Sequence, residues 1–200
     1  MNTASQWRHH LVHPLAPIYA ANPHVAAVLL GDRLKQNLIA GVVDGVPLHN
    51  AALVQHWKDR VAIYPDGLAF AVVNRYVMID HFWRWEMWLA RGGNLMMLYQ
   101  AFTQIQQQLL HVLLGLNRVY YFGFKWIEVV SERLAQQPPD LVRRLRQVYQ
   151  LAPAEGAREL AALVEETYDL VEHTLPQIDI ARMRAIFHYQ RPLWDDRPPA

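Results

Sequence analysis

The sequence has no cysteine, only two serines and only three lysines among its 200 residues. The absence of cysteine excludes disulfide bonds, thiolate metal sites and a cysteine nucleophile, and it is usual for proteins of the cytosol. The formal net charge is only +1, so the chain has no bulk attraction to nucleic acid or to anionic lipid. We therefore expect a cytoplasmic protein that binds neither nucleic acid nor membranes.

Long apolar runs are also absent. No run approaches the roughly 18 apolar residues that a membrane-spanning helix needs. The opening residues, MNTASQWRHHLVHP, lack the apolar core of a signal peptide, so we expect no secretion signal. The apolar fraction of 52% and the charged fraction of 18% are typical of a globular chain that can bury a sizeable core.

Apolar residues recur at helical spacing along most of the chain. The clearest case follows Gly92 and Gly93, where Asn94 is placed to cap a helix. Its apolar positions are Leu95, Leu98, Phe102, Ile105, Leu109, Val112, Leu113 and Leu116. Further helices are predicted at 22–42, at 66–91 with Asp66 as its cap, and at 125–135, 140–150, 153–175 and 179–189.

We predict an all-α fold, an antiparallel helical bundle at residues 35–194. A helical N-terminal arm at 1–34 precedes it and an irregular tail at 195–200 follows it. The apolar run at 25–30 has the composition of a buried strand, but no second strand of similar quality follows. A lone strand cannot satisfy its backbone, so we favour a helix that Asn22 and Pro23 start.

One short stretch, LNRVYYFGFKW at 116–126, sets Asn117, Arg118 and Lys125 among five aromatic residues. A corner between two helices explains the asparagine and the glycine, because backbone groups there need partners and the chain must turn. It explains Lys125 less well. Two accounts of this lysine stay open: a cation–π contact with Tyr120 or Trp126, or an anionic ligand.

Four short pieces occur in an order and spacing that resemble one family. They are Pro47-Leu48-His49, Tyr64-Pro65-Asp66, Leu116-Asn117-Arg118 and Phe124-Lys125-Trp126. With them, residues 35–194 resemble the helical C-terminal half of nucleotidyltransferase-like proteins, a half that is catalogued as a domain of unknown function. The stretch APIYAANPHVAAVLLG is similar to the first helix and first strand of the catalytic domain of those proteins.

The resemblance implies a catalytic segment that this chain does not contain. In the family a Gly-Ser pair that holds triphosphate comes next, and then an Asp-x-Asp pair that holds metal ions. Here Gly31 is followed by Asp32, neither serine follows a glycine, and no Asp-x-Asp occurs. We therefore expect no nucleotidyl transfer by this chain alone, no catalytic residues, and no metal or cofactor. Magnesium would be expected only with a complete catalytic domain.

The helical half of such enzymes often forms part of the acceptor site, which implies a binding module for a small molecule, a nucleotide or a protein partner. By this resemblance the binding residues are Gln104, His111, Asn117, Arg118, Tyr120, Lys125 and Trp126. Lys125 and Arg118 would meet anionic groups, and Tyr120 and Trp126 would stack on a ring.

Two alternatives stay open. The first is a structural homodimer whose interface uses the tryptophan-rich helix at 83–88 and the N-terminal arm. The second is a helical ribonuclease of the HEPN type, because Arg75 and His81 match its loose Arg-x(4–6)-His pattern.

Three other clusters are interpreted as solvated surface. The histidines His9, His10 and His13 lack a supporting carboxylate. The arginines form the wet face of an amphipathic helix, and the carboxylates have no arginine or histidine that the sequence places beside them. These two groups are Arg133, Arg143, Arg144 and Arg146, and Glu165, Glu166, Asp169 and Glu172.

Overall fold

The computed structural model describes residues 33–79 and 93–189, with side chains from Gln36 onward. Within these ranges the chain forms helices and no β-strand, which confirms the all-α prediction. The helices are α1 (Arg33–Asp44), α2 (Ala51–Val61), α3 (Asp66–Tyr76), α4 (Leu95–Leu116), α5 (Ile127–Ser131), α6 (Leu141–Gln147), α7 (Pro153–Thr174) and α8 (Ile180–Phe187). A 3₁₀ turn at Phe124–Trp126 leads directly into α5.

Local sequence signals set where several helices begin. The Asn94 side chain accepts a hydrogen bond from the backbone N–H of Met96, and Asp179 accepts one from Arg182. Pro153 lies in the first turn of α7, where the missing N–H leaves no helical hydrogen bond unmade. These helix starts were predicted from the sequence and are confirmed.

Helices α3 and α5 end well before their predicted limits. Asp66 does not cap α3 but lies in its first turn, where its carboxylate accepts hydrogen bonds from Arg118 at 2.7 and 2.9 Å. This helix ends at Tyr76, short of the single long helix predicted. α5 ends at Ser131, whose carbonyl accepts hydrogen bonds from the Leu134 N–H and from the Gln137 side-chain amide.

Two clusters of buried apolar side chains form the interior of the described ranges. The larger surrounds α4, which packs against α3 and α7. The smaller lies among α1, α2 and α3 and includes Tyr64 and Tyr120. Tyr76 and Phe122 touch both clusters, so the interior is continuous from one to the other.

Helices α3 and α4 pack closely where α4 carries Gly115. A Cβ atom at this position would lie 2.9 Å from Cγ2 of Val73 and 3.2 Å from Cγ1 of Val72. Both distances are tighter than ordinary van der Waals contact. The glycine therefore permits the close approach of these two helices.

The antiparallel arrangement and the limits of the predicted domains stay predictions. Residues 1–32 of the predicted arm, the tryptophan-rich stretch at 83–88 and the tail lie outside the described residues. In the part of the chain that is described, no helix combines the length and the apolar character needed to cross a membrane.

Replacing Gly115 with alanine tests the close packing of α3 and α4. The new methyl group would meet two stiff β-branched side chains, so we expect the free energy of unfolding to fall by about 1–3 kcal/mol. Gly67→Ala in α3 is the matched control, because a Cβ there meets nothing within 4 Å. Urea denaturation of both variants makes the comparison. Equal stability would contradict the packing described here.

Candidate functional site

The side chain of Asn117, at the end of α4, joins two distant points of the chain. Its amide nitrogen donates to the carbonyls of Leu113 and Gln136 at 2.7 and 2.8 Å. Its oxygen accepts a hydrogen bond from the backbone N–H of Gln136 at 2.8 Å. Residues 118–135 consequently form a loop with joined ends, which we call the corner loop. Asn117 thus satisfies backbone groups, as expected for a corner between helices.

Gly123 sets the path of the corner loop. Its φ of 88° and ψ of 157° are a backbone conformation that residues other than glycine rarely adopt. The 3₁₀ turn and α5 follow directly, so this glycine determines the direction in which both elements leave the aromatic stretch.

The corner loop and α1 enclose a cleft of about 630 Å³. This volume is in the range of small-molecule binding sites. The α1 wall consists of Asn37, Ala40, Gly41 and Asp44, with Gly45 just beyond the helix. The opposite wall consists of Phe122, Lys125, Trp126, Val129, Val130 and Arg133, all on the corner loop.

The corner-loop wall presents an aromatic ring beside a cation. Trp126 is 51% exposed, and the Lys125 Nζ lies 5.3 Å from the centroid of its ring. This distance agrees with the cation–π account of the lysine. Among the described residues Lys125 forms no ion pair with a carboxylate, so its ammonium hydrogens can still bind an anionic group.

An ion pair connects the two walls of the cleft. Nη1 of Arg133 donates to both carboxylate oxygens of Asp44 at 2.9 Å. The Arg133 guanidinium also lies 5.8 Å from the centroid of the Phe122 ring. With the cations of Lys125 and Arg133 and the one carboxylate of Asp44, the lining residues carry one net positive charge. The cleft therefore favours an anionic ligand.

Asn37 contributes a buried acceptor on the α1 wall. Its side-chain oxygen is shielded from solvent and accepts no hydrogen bond from the described residues. A buried acceptor without a donor is costly, so this position favours a ligand or a water molecule that donates a hydrogen bond.

Of the seven binding residues predicted from the sequence, the structure brings Lys125 and Trp126 into the cleft. His111 is only 1% exposed and lies between the rings of Tyr76 and Tyr121, at centroid distances of 4.1 and 4.3 Å. The close contact of its Nδ1 with the carbonyl of Gln107, at 2.6 Å, makes that nitrogen the donor. Its position is that of a core side chain.

The other four predicted residues also lie outside the cleft lining. Asn117 closes the corner loop, and Arg118 is bound to Asp66. Tyr120 is buried against Tyr64, and burial raises the pKa of the Tyr64 hydroxyl above its ordinary value. Gln104 is exposed on α4. Ligand binding by these four residues stays a prediction.

The carboxylates of α7 have partners that the sequence interpretation did not foresee. Arg184 of α8 binds Glu165, Asp169 and Glu172, and Arg144 of α6 binds Glu166 at 2.6 Å. The partners lie on other helices, so spacing along α7 does not reveal them. The four carboxylates are still partly to largely exposed, which agrees with their interpretation as a solvated face.

Each arginine of the cluster forms an ion pair. Three of the four side chains are exposed, as interpreted from the sequence, and Arg144 is the exception. Arg144 is largely buried, and its hydrogen bond to Glu166 raises the pKa of the guanidinium. The remaining pairs are Arg133 with Asp44, Arg143 with Asp140, and Arg146 with Glu128.

No group of three or more histidine, aspartate or glutamate side chains is arranged to hold a metal ion in residues 33–79 and 93–189. The histidines at 9, 10 and 13 and the proposed ribonuclease histidine at 81 lie outside those ranges. Arg75 is exposed beside the ring of Tyr76. The ribonuclease alternative therefore stays a prediction.

The sequence interpretation missed the α1 side of the cleft. Asp44 and Arg133 are 89 residues apart, so no local pattern links them. The sequence contains one signal for this side of the cleft, the glycines Gly41 and Gly45 spaced one helical turn apart. A Cβ at Gly45 would lie 2.4 Å from the Gly41 carbonyl oxygen, whereas a Cβ at Gly41 would meet nothing within 4 Å. Gly41 thus leaves open space on the cleft wall.

Comparison with known proteins gives one match. Residues 32–127 match the family described as Domain of unknown function (DUF4037), slightly less than half of the chain. The matched segment includes the α1 wall together with Lys125 and Trp126, and it ends before Arg133. No curated protein and no solved structure matches the chain.

Asn117→Ala tests whether this side chain holds the corner loop. The substitution leaves the backbone N–H and carbonyl of Gln136 without their partner, so we expect a loss of about 1–3 kcal/mol in the free energy of unfolding. Gln104→Ala, at an exposed position of the same helix, should change it by less than about 0.5 kcal/mol. Urea denaturation monitored by circular dichroism measures both. Equal values for the two variants would contradict the role of Asn117.

Proposed function

We propose that this chain is a non-catalytic binding module related to the helical half of nucleotidyltransferase-like proteins. Its ligand is a small anionic molecule with a planar ring, and a nucleotide is the type we favour. The observation that carries the proposal is the position of the Trp126 ring beside Lys125 and Arg133 in one cleft.

The two halves of such a ligand would use different parts of the cleft. A planar base stacks well on a half-exposed indole ring, and such contacts contribute about 1–3 kcal/mol per base. A phosphate binds to lysine and arginine through charge-assisted hydrogen bonds.

The lack of an Asp-x-Asp pair favours a binding function over nucleotidyl transfer. Two-metal nucleotidyl transfer needs a pair of carboxylates on the ions, and the sequence has no Asp-x-Asp. Asp44 is the one carboxylate among the described residues of the cleft, and it is paired with Arg133. The match to a domain of unknown function is compatible with this proposal and supplies no activity.

Titration calorimetry with magnesium ATP tests the cationic part of the site. We expect saturable binding to the native protein and an increase in Kd of about tenfold for Lys125→Ala, because a charge-assisted contact is lost. Lys58→Ala is the matched control, since Lys58 lies on α2 and does not line the cleft. Absence of heat with the native protein, or equal weakening by both substitutions, would overturn the proposal.

The ring-binding part is tested by Trp126→Ala with two probes, magnesium ATP and inorganic tripolyphosphate. Loss of stacking should raise the Kd for ATP by about fivefold or more and leave the Kd for tripolyphosphate nearly unchanged. Because tripolyphosphate has no ring, it controls for a general disturbance of the cleft. Equal weakening with both probes would contradict a stacking role for Trp126.

A second candidate function, self-association, is favoured by an exposed apolar surface. Four large apolar side chains that lie close in sequence to residues 80–92 are between 44% and 78% exposed, namely Met78, Leu95, Met96 and Met97. Methionine-rich exposed patches are typical of interaction surfaces. The predicted interface at 83–88 lies outside the described residues.

Light scattering at micromolar concentration tests self-association. We expect the mass of a dimer, and we expect Met96→Asp to shift it toward the 23.2 kDa monomer, because a charge at an apolar interface opposes contact. A monomeric native protein would contradict this candidate function.

A further inference from the structure

Arg133 has two contacts, one within the corner loop and one across the cleft. The stacking of its guanidinium near the Phe122 ring lies within the corner loop and keeps it on that wall. The pairing with Asp44 reaches across the cleft to α1, and the two side chains are 46% and 39% exposed. Partly exposed ion pairs contribute little to stability, so the contact with Asp44 is easily exchanged.

Asp44 is also placed where a carboxylate does not stabilise its own helix. It is the last residue of α1, and the C-terminal end of a helix disfavours negative charge. Helix formation therefore does not explain an acidic residue at this position. Its observed partner is Arg133, through both carboxylate oxygens.

The pairing leaves part of the arginine unused. Both hydrogen bonds to Asp44 come from Nη1, whereas a guanidinium has five N–H donors arranged to bind an oxyanion with two parallel hydrogen bonds. A ligand anion that enters between Lys125 and Arg133 would offer oxygens to both cations. It would compete directly with the Asp44 carboxylate for the same guanidinium.

We propose that Asp44 is an intramolecular competitor that occupies Arg133 in the empty cleft and that an anionic ligand group displaces. This inference rests on the proposed function and specifies its ligand selectivity. Phosphate-bearing ligands with two or more negative charges outcompete Asp44, whereas ligands with one carboxylate gain little over the contact that they replace. Asp44 thereby sets the threshold of ligand charge for binding.

The test is calorimetric titration of four proteins with magnesium ATP: the native chain, Asp44→Asn, Arg133→Ala and the double variant. We expect Asp44→Asn to lower the Kd by about three- to fivefold, because the competing carboxylate is removed. We expect Arg133→Ala to raise it by about tenfold. Asp140→Asn, which neutralises another exposed partner of an arginine away from the cleft, should leave the Kd unchanged.

The double variant separates competition from simple repulsion. If Asp44 acts by occupying Arg133, most of the gain from Asp44→Asn is lost once Arg133 is gone, because only the repulsion between the carboxylate and the ligand remains. If Asp44 merely repels the ligand, the gain is at least as large without Arg133, and this result would overturn the inference.

The two proposals fail in distinguishable ways. Native binding that weakens in Lys125→Ala but is unchanged in Asp44→Asn would overturn the competitor role and leave the binding module standing. Absence of binding in every variant, including Asp44→Asn with its two unopposed cations, would overturn both. Circular dichroism of each variant confirms the fold before titration.

Discussion

The cleft depends on the hydrogen bonds of one side chain, the amide of Asn117. By binding Leu113 and Gln136 together, it ends the long central helix and brings the chain back to the same place after the corner loop. Every cleft-lining residue that does not belong to the α1 side lies on this loop. A closed loop restricts the motion of its side chains, so that less conformational entropy is lost when a ligand binds. The asparagine that satisfies a helix corner thus also positions Lys125 and Trp126.

The two walls of the cleft are held with different strength. Phe122 anchors the corner loop to both buried clusters, and the approach of α3 and α4 at Gly115 fixes the framework behind it. The direct connection between the walls is the exchangeable pair of Asp44 and Arg133. A rigid framework with an exchangeable contact across the opening suits a site that admits a charged ligand. The cation–π contact of Lys125 with Trp126 leaves the ammonium hydrogens available, so the two accounts of this lysine are compatible.

Sequence reasoning succeeded where the signal is local. The Asn94 cap, the starts of α7 at Pro153 and of α8 near Asp179, and the apolar stripe of α4 depend on neighbours within one or two turns. It failed where partners come from distant parts of the chain. Gln106 is one example that the sequence does not reveal: it is buried, and its amide donates to the carbonyl of Leu145, 39 residues away. In the candidate site, the position of Lys125 among aromatic residues indicated the corner-loop wall of the cleft. The other wall, with Asp44, needs the three-dimensional contact between residues far apart in sequence.

The central claim is that ligand binding takes place between α1 and the corner loop, and chemical-shift mapping tests it most directly. Backbone amide resonances of the ¹⁵N-labelled protein would be followed during titration with magnesium ATP. The account predicts that the largest shifts fall in two separate segments, 37–45 and 122–133, with little change along α7. Shifts confined to other helices, or no shifts at millimolar ATP, would contradict it.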